Sequence, residues 1–291
     1  MGPEVGARSG YGRGRNDGTR GDRVDENAID LQLDRPHSAR MYDYYLGGRT
    51  NFTADREAVG QVMAAFPAAL VAARANREFM HRSTRYLAEA GLRQFLDIGT
   101  GIPTRPNLHE VAQLVAPEAR IVYVDNDPIV LAHAQALLQS HPLGSTDYLQ
   151  ADLTNPDVIL ASPALDRALD LTQPVALSLN AVLHFVTDAQ GAHHIVDRLK
   201  DALAPGSALA ISHGTADFAP AASAKATDVY QAVGTSAQPR TRADFERFFH
   251  GWDLVDPGIT MTHRWHPDDP EQLSDIGDAE AGCYAAVARK P

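Results

Sequence analysis

Cysteine and lysine are scarce in this chain of 291 residues. Cys283 is its one cysteine, so the chain forms no internal disulfide and no thiolate metal cluster, and we expect a reducing compartment. The three lysines are Lys200, Lys225 and Lys290, and none of them follows a tyrosine by four residues. The chain is therefore not a short-chain dehydrogenase, a class whose chemistry needs that tyrosine–lysine pair.

Long apolar runs and an excess of positive charge are also missing. No apolar run approaches the roughly 18–20 residues that span a bilayer, and no apolar core follows the N-terminal arginines, so we expect neither a membrane span nor a secretory signal. The 26 basic residues are outnumbered by 37 acidic ones, giving a formal net charge of -11. This balance does not suit a sequence-independent nucleic-acid clamp. We therefore expect a cytoplasmic protein without a nucleic-acid or membrane partner.

Three regions of the chain differ in composition and periodicity. Residues 1–34 are rich in glycine, arginine and aspartate, which predicts a disordered tail because such a segment buries too little surface to offset its ordering entropy. Residues 35–91 carry helical periodicity and helix-ending glycines, which predicts a helical extension. In residues 92–291 short apolar segments alternate with helical ones, as is typical of right-handed βαβ units in a parallel sheet.

Seven short apolar segments are the predicted strands. The last two flank a long loop rich in proline and aspartate, which allows them to pair antiparallel. We therefore expect an α/β fold with a mostly parallel sheet. The predicted strands are 94–98, 120–124, 147–149, 175–179, 208–212, 252–255 and 283–288.

The segment Phe95–Gly101 is the strongest local signal. A buried strand there runs directly into Gly99 and Gly101, and glycine at such a turn permits close approach of the backbone to a nucleotide. A dinucleotide-binding loop has a third glycine three residues later, where this chain has Thr104. The loop thus favours a nucleoside ligand without a pyrophosphate, although a purely structural turn also has this pattern.

Two aspartates follow the next two predicted strands. Asp125 ends the second strand, where a carboxylate can accept hydrogen bonds from both ribose hydroxyls. It is free to do so because Asp127 and Pro128 already supply the cap and first residue of the following helix. Asp152 follows the third strand and can accept from an exocyclic adenine amine. Because the carboxyl ends of parallel strands meet at one edge, these groups predict a nucleoside pocket.

Together with these motifs, further segments carry a family resemblance over residues 35–291. The chain resembles a class I S-adenosylmethionine-dependent methyltransferase. In particular it is similar to the actinobacterial S-adenosyl methyltransferase family, formerly a domain of unknown function. The matching segments are Arg35-Pro36, Ala39-Arg40, Tyr42–Tyr44, Leu46–Gly48, Asn51-Phe52, Ala54–Glu57, Gln94–Thr104, His109–Ala112, Tyr123–Pro128, Ala181–Phe185 and Val287–Pro291.

The resemblance implies a Rossmann-like seven-stranded sheet, mostly parallel with its last strand antiparallel, that binds S-adenosyl-L-methionine and carries an N-terminal helical extension. It divides the chain into the tail at 1–34, a helical lid at 35–91 and the cofactor-binding domain at 92–291. We expect no metal. The candidate cofactor-binding residues are Asp97, Gly99, Thr100, Gly101, Asp125, Asn126, Asp152, Leu153, Arg40 and Tyr44.

Two polar residues near the end of the fourth predicted strand are the candidate catalytic groups. Asn180 stands where the family usually has an apolar residue, and a polar side chain there would face the methyl-transfer site. Its alternative is a loop asparagine without a chemical role. His184 follows the strand and is our candidate general base, with His213 second, because imidazole titrates near neutrality. The alternative for such histidines is a hydrogen bond to the backbone.

The segment from Arg35 to Asn51 is predicted to close over the cofactor, because it is rich in arginine and tyrosine. Arg40 suits the methionine carboxylate, and Tyr44 with its neighbouring tyrosines suits a pocket wall. The alternative is a helix packed on the sheet's outer face. The predicted function is methyl transfer to a small-molecule acceptor. A non-catalytic cofactor-binding regulatory module and a nicotinamide-dependent oxidoreductase are the alternatives, and the oligomeric state is not predicted.

Overall fold

Within residues 31–137, 139–268 and 275–291, which are those described by this computed structural model, a mixed sheet of eight strands organises the fold. Seven strands follow the order β3-β2-β1-β4-β5-β8-β6, and β7 pairs with β8. The first five strands are parallel, and β8 lies antiparallel to β5, β6 and β7. The strands are β1 (Gln94–Ile98), β2 (Arg120–Asp125), β3 (Ser145–Gln150), β4 (Ala176–Asn180), β5 (Ala208–Gly214), β6 (Asp253–Leu254), β7 (Thr260–Met261) and β8 (Cys283–Arg289).

This topology confirms the predicted Rossmann-like sheet with an antiparallel last strand. β1 has the predicted bounds, and all five of its residues are buried. β3 is longer than predicted and starts at Ser145. Among the described residues it lies at the end of the strand order, and its residues are only partly buried, so polar residues are tolerated in it. The two-residue β7 was not predicted, because so short a strand carries no periodicity.

Eleven α-helices occur in the described part of the chain. α6 was not predicted, since five residues starting at a proline give too short a pattern. The helices are α1 (Ser38–Tyr45), α2 (Thr53–Ala65), α3 (Ala69–Glu89), α4 (Leu108–Val115), α5 (Pro128–Leu137), α6 (Pro156–Leu160), α7 (Pro163–Ala168), α8 (Ala192–Asp201), α9 (Pro220–Ala232), α10 (Arg242–Glu246) and α11 (Asp278–Ala281).

Both faces of the sheet are buried. Leu96 and Ile98 of β1 belong to a hydrophobic cluster with α6, α7 and α8, whereas Phe95 of the same strand packs with α3 and α4. This alternation is the period-two geometry of a strand that is covered on both sides. Within the described residues no single helix is both long and apolar enough to cross a membrane; α2 and α3 meet both conditions only as a pair bent by 101°.

The N-terminal helices cover the carboxyl ends of the strands. Met41 and Tyr45 of α1 pack with Val59 and Val62 of α2, and this cluster contacts Tyr230 of α9. α3 differs from them because it also packs on the sheet itself. The division into a lid at 35–91 and a domain at 92–291 stays a prediction. Residues 31–291 form one compact unit, and most of the predicted tail, residues 1–30, lies outside the described residues.

Candidate functional site

A cavity of about 590 Å³ lies where the five parallel strands end. Residues at or just beyond the carboxyl ends of β1 to β5 form its floor, and α1, α2, α3 and α9 form its roof. This is the edge at which open α/β sheets bind ligands. Of the ten predicted cofactor-binding residues, eight line the cavity, namely Asp97, Gly99, Thr100, Gly101, Asp125, Asn126, Asp152 and Leu153, and both predicted catalytic residues, Asn180 and His184, line it as well.

The turn after β1 is built by two glycines with left-handed backbone conformations. Gly99 has φ of 78° and Gly101 has φ of 70°. A Cβ added to Gly99 would lie 2.4 Å from a methyl carbon of Val182, whereas one added to Gly101 would meet nothing within 4 Å. Gly99 is therefore needed for close packing of the segment after β4. Gly101 borders open space inside the cavity.

Asp125 is held by two backbone amides. The N–H of Gly101 donates to its Oδ2 at 2.8 Å, and the N–H of Asp127 donates to its Oδ1 at 2.9 Å. Burial raises the pKa of Asp125, and these two hydrogen bonds oppose that shift. Each carboxylate oxygen keeps a further lone pair, which is the arrangement needed to accept from a pair of ribose hydroxyls.

Asp152 lies on the adjacent strand end. Its Oδ1 accepts from the backbone N–H and the hydroxyl of Thr154, at 2.8 and 2.7 Å, and its Oδ2 accepts from Nδ2 of Asn126 at 3.5 Å. Burial raises its pKa, but these hydrogen bonds outweigh burial and the net shift is downward. Asp152 is therefore an ionised acceptor near neutral pH, beside the buried side chain of Leu153.

Asp97 lies in the cavity floor, and burial changes the pKa of its carboxyl group. Burial raises its pKa to about 6, against hydrogen bonds from Ser178 and Thr100 and the charge of Arg77. A carboxylate with this pKa is ionised at neutral pH but titrates just below it. A cationic ligand group beside Asp97 would therefore favour its charged form.

Two buried polar atoms at the cavity have no hydrogen-bond partner in the described part of the chain. The first is Oδ1 of Asn180, whose Nδ2 donates to Ser178 at 2.7 Å. The second is Nε of Arg77, whose Nη2 donates to the carbonyl oxygens of Thr104 and Pro106. An acceptor and a donor without partners suit a ligand that has both a positive and a negative group, because an unmet buried polar atom costs about 1–3 kcal/mol.

Neither Arg40 nor Tyr44 lines the cavity, which corrects the expectation that they bind the cofactor. Arg40 is buried between α1, Asp55 and Asp127, with Nε 3.5 Å from each carboxylate. Tyr44 is 36% exposed. Tyr42 and Tyr45, three residues apart on α1, face the cavity instead, and helical geometry turns Tyr44 away.

Arg77 is the charged residue that sequence reasoning missed. It lies on α3 next to Asn76, which is 3% exposed and sits on the buried face of that helix. A polar residue on the apolar face of a helix is unusual, and this feature of the sequence could have indicated that this part of α3 lies at the site. Nδ2 of Asn76 donates to the hydroxyl of Tyr42 at 2.7 Å, and its Oδ1 accepts from Ser212.

His184 lines the cavity after β4 in a neutral form. The N–H of Gly214 donates to its Nδ1 at 3.3 Å. Burial, and then the positive charge of Arg240, lower its pKa to about 4. An imidazole with such a pKa binds a proton weakly near neutral pH, so this lowered pKa does not favour the predicted role of His184 as a general base.

The half of the cavity farther from the glycine turn is mostly aromatic and aliphatic. The hydroxyls of Tyr45 and Tyr230 lie 3.3 Å apart, and Phe185 packs edge-on against Tyr230 at 5.3 Å between ring centroids. Phe66 and Phe218 complete the aromatic lining of this half. The cavity therefore combines a polar half at the strand ends with an apolar half beneath α1, α2 and α9.

Comparisons with known proteins agree with this geometry. The sequence profile of the S-adenosyl methyltransferase family matches residues 24–291. The chain belongs to the S-adenosyl methyltransferase family. The family's methyl donor is S-adenosylmethionine, and the chain is a methyltransferase that depends on this cofactor. The predicted family, enzyme class and cofactor are thereby confirmed.

Solved structures from two actinobacteria share the fold. A DUF574 family protein from Streptomyces avermitilis is 51% identical, with a TM-score of 0.87, and the match covers 90% of this chain and 100% of that one. A protein from Thermobifida fusca is 37% identical, with a TM-score of 0.83 and coverage of 91% and 99%. Among curated proteins the comparison found no significant match.

Proposed function

We propose that this methyltransferase transfers the methyl group to an uncharged small molecule held in the apolar half of the cavity. The observation that carries the proposal is that a single cavity joins the polar strand-end groups to the aromatic chamber below α1, α2 and α9. A volume of about 590 Å³ is in the range of small-molecule sites, which are mostly apolar with a few polar groups that fix orientation.

The polar half fits the cofactor along its whole length. Asp125 would accept from the ribose hydroxyls, and Asp152 with Asn126 would meet the adenine beside Leu153. The unpartnered Oδ1 of Asn180 and Nε of Arg77 match the ammonium and carboxylate of the methionine part, so Arg77 takes the place predicted for Arg40. Bound there, S-adenosylmethionine supplies an electrophilic methyl carbon on its sulfonium.

The protein's own contribution is to position the acceptor and exclude water. Tyr42 donates its hydroxyl to the carbonyl oxygen of Ala73 at 3.0 Å, and burial raises its pKa to about 12, so it stays neutral. The Tyr42 hydroxyl therefore forms part of the cavity wall and does not act as a base. An in-line displacement needs little else, because orientation alone supplies a large part of the rate enhancement.

Transfer of labelled methyl groups tests the proposal. The protein is incubated with methyl-labelled S-adenosylmethionine and a cell extract separated into an ultrafiltrate and a macromolecular fraction. We expect label to enter compounds of the ultrafiltrate, and the Asp125→Ala variant to lose most of this transfer. Label in the macromolecular fraction alone contradicts a small-molecule acceptor, and cofactor binding without any transfer supports the regulatory module instead.

The raised pKa of Asp97 predicts a pH dependence of cofactor binding. Its ionised carboxylate attracts the methionine ammonium, and this attraction is lost as the pH falls through about 6. We expect the affinity for S-adenosylhomocysteine to fall roughly tenfold between pH values of about 7 and about 5, measured by calorimetry. In Asp97→Asn the affinity should be lower at neutral pH and nearly independent of pH. A variant that keeps the full slope would show that another group carries it.

A further inference from the structure

A buried arginine begins a chain of hydrogen bonds that ends at His184. Arg240 is 2% exposed, and its Nη1 lies 2.6 Å from Nε2 of His213. A guanidinium group has donors only, so Nε2 of His213 accepts this hydrogen bond. His213 is consequently neutral with its proton on Nδ1, and Nδ1 donates to the carbonyl oxygen of Gly214 at 2.8 Å.

Gly214 also contacts His184, but through its N–H, which belongs to a different peptide group from the carbonyl that His213 contacts. The N–H of Gly214 donates to Nδ1 of His184, which therefore carries no proton. The proton of the neutral His184 ring is on Nε2. Nε2 has no hydrogen-bond partner among the residues that the structure describes, and His184 lines the cavity. The cavity thus faces an N–H donor at this point, not a lone pair.

We propose that the N–H of Gly214, a residue that Arg240 and His213 hold in place through its carbonyl oxygen, fixes His184 as a hydrogen-bond donor to the methyl acceptor, which is therefore a neutral ring compound with a hydrogen-bond-accepting oxygen. The inference rests on the proposed function for the location of the acceptor. His184 then binds the acceptor and does not remove its proton, which passes to solvent as the methylated product is released; Arg240 and His213 are positioning residues.

Arg240 is itself held rigidly by several hydrogen bonds, so it can fix the positions of His213 and Gly214. Its Nε and Nη2 both donate to Oδ1 of Asp188, at 3.2 and 2.7 Å. Its remaining donors meet the carbonyl oxygens of Leu183 and Val186, at 3.1 and 2.9 Å, on either side of His184 in the chain. His193, whose Nε2 lies 3.5 Å from Asp188, is a further titratable group in contact with this network.

The charge distribution of the cavity wall selects a neutral acceptor. In the described residues, its arginines and aspartates lie in the polar half that the cofactor would occupy. The aromatic half therefore has no cation to compensate a carboxylate and no anion to compensate an ammonium, and desolvating either charge would be costly. The charged wall residues are Arg35, Arg77, Asp97, Asp125 and Asp152.

The tautomer of His184 is tested first, because this measurement needs no acceptor. Two-bond ¹H–¹⁵N correlation spectra of ¹⁵N-histidine-labelled full-length protein, loaded with S-adenosylhomocysteine, should show His184 protonated on Nε2 and His213 on Nδ1 at neutral pH. In the His213→Phe variant, which keeps a ring of similar size, the carbonyl oxygen of Gly214 loses one of its two donors, so the hydrogen bond from its N–H to His184 should weaken and the fraction of His184 protonated on Nδ1 should rise. A proton on Nδ1 of His184, or an imidazolium at neutral pH, would overturn the proposal.

Three naphthalene probes then test the acceptor class by calorimetry on the loaded protein. We expect 2-acetyl-1-naphthol, a neutral ketone, to bind at least about fivefold more tightly than 1-naphthol, the gain of roughly one hydrogen bond. The isosteric anion 1-hydroxy-2-naphthoate should bind more weakly than both. His184→Phe should abolish the advantage of the ketone over 1-naphthol while binding of S-adenosylhomocysteine persists.

Tighter binding of the anion, or no advantage of the ketone, would overturn the acceptor class. These outcomes are separate from the labelled-transfer experiment. Transfer to macromolecules alone would overturn the small-molecule function while leaving the His184 tautomer as inferred. A wrong tautomer would leave the small-molecule function intact and return His184 to the role of a candidate base.

Discussion

Replacing Asp125 by alanine should weaken binding of S-adenosylhomocysteine by roughly 30–150-fold, or about 2–3 kcal/mol. The variant loses both acceptors for the ribose hydroxyls. It also leaves the N–H groups of Gly101 and Asp127 without the carboxylate that now accepts from them. Calorimetry measures the loss, and thermal unfolding of the same samples separates it from an effect on folding.

Asp201→Ala is the matched control for this variant. Asp201 is an exposed aspartate at the end of α8 and does not line the cavity. Its replacement should leave the affinity unchanged within about twofold. An Asp125→Ala protein that is folded and binds as tightly as the control would remove Asp125 from the cofactor site.

Two glycine variants at the turn after β1 should have different consequences. Gly99→Ala and Gly101→Ala both force a side chain into a left-handed conformation, which costs about 1–2 kcal/mol. Only Gly99→Ala also drives a Cβ against Val182, so overpacking should add about 1–3 kcal/mol. We therefore expect Gly99→Ala to lower the free energy of unfolding by about 2–5 kcal/mol, as measured by urea denaturation.

Gly101→Ala should instead affect the ligand more than the fold. Its Cβ would enter open space in the cavity, at the position where the backbone approaches the cofactor. The free energy of unfolding of this variant should fall only by the backbone strain, about 1–2 kcal/mol. The variant should nevertheless bind S-adenosylhomocysteine more weakly than wild type. Equal losses of stability in both variants would show that the contact with Val182 carries no energy.

The parts of the site that the sequence predicted are those encoded over short distances. β1 and the glycine turn form one local signal, because five buried residues are followed by two glycines with positive φ. Asp125 and Asp152 lie at the cavity as expected, since each follows a predicted strand and parallel strands share one carboxyl edge. Their placement at one cavity needs only the strand order.

The parts that were missed depend on how distant elements pack. Arg40 had the right charge for a carboxylate, but α1 turns it toward Asp55 and Asp127, and that rotation is set by contacts with α2 and the β2 end. Arg77 reaches the site because α3 crosses the strand ends. The tautomer of His184 depends on the N–H of Gly214, which lies 30 positions later in the chain.

A crystal structure of the protein with S-adenosylhomocysteine is the most direct test of the account. We predict the ribose hydroxyls on Asp125, the adenine beside Asp152 and Leu153, and the amino-acid end between Asn180 and Arg77. The sulfur should face the aromatic half that contains His184. A nucleoside bound elsewhere, or a sulfur turned away from His184 and the aromatic chamber, would contradict the proposed site of methyl transfer.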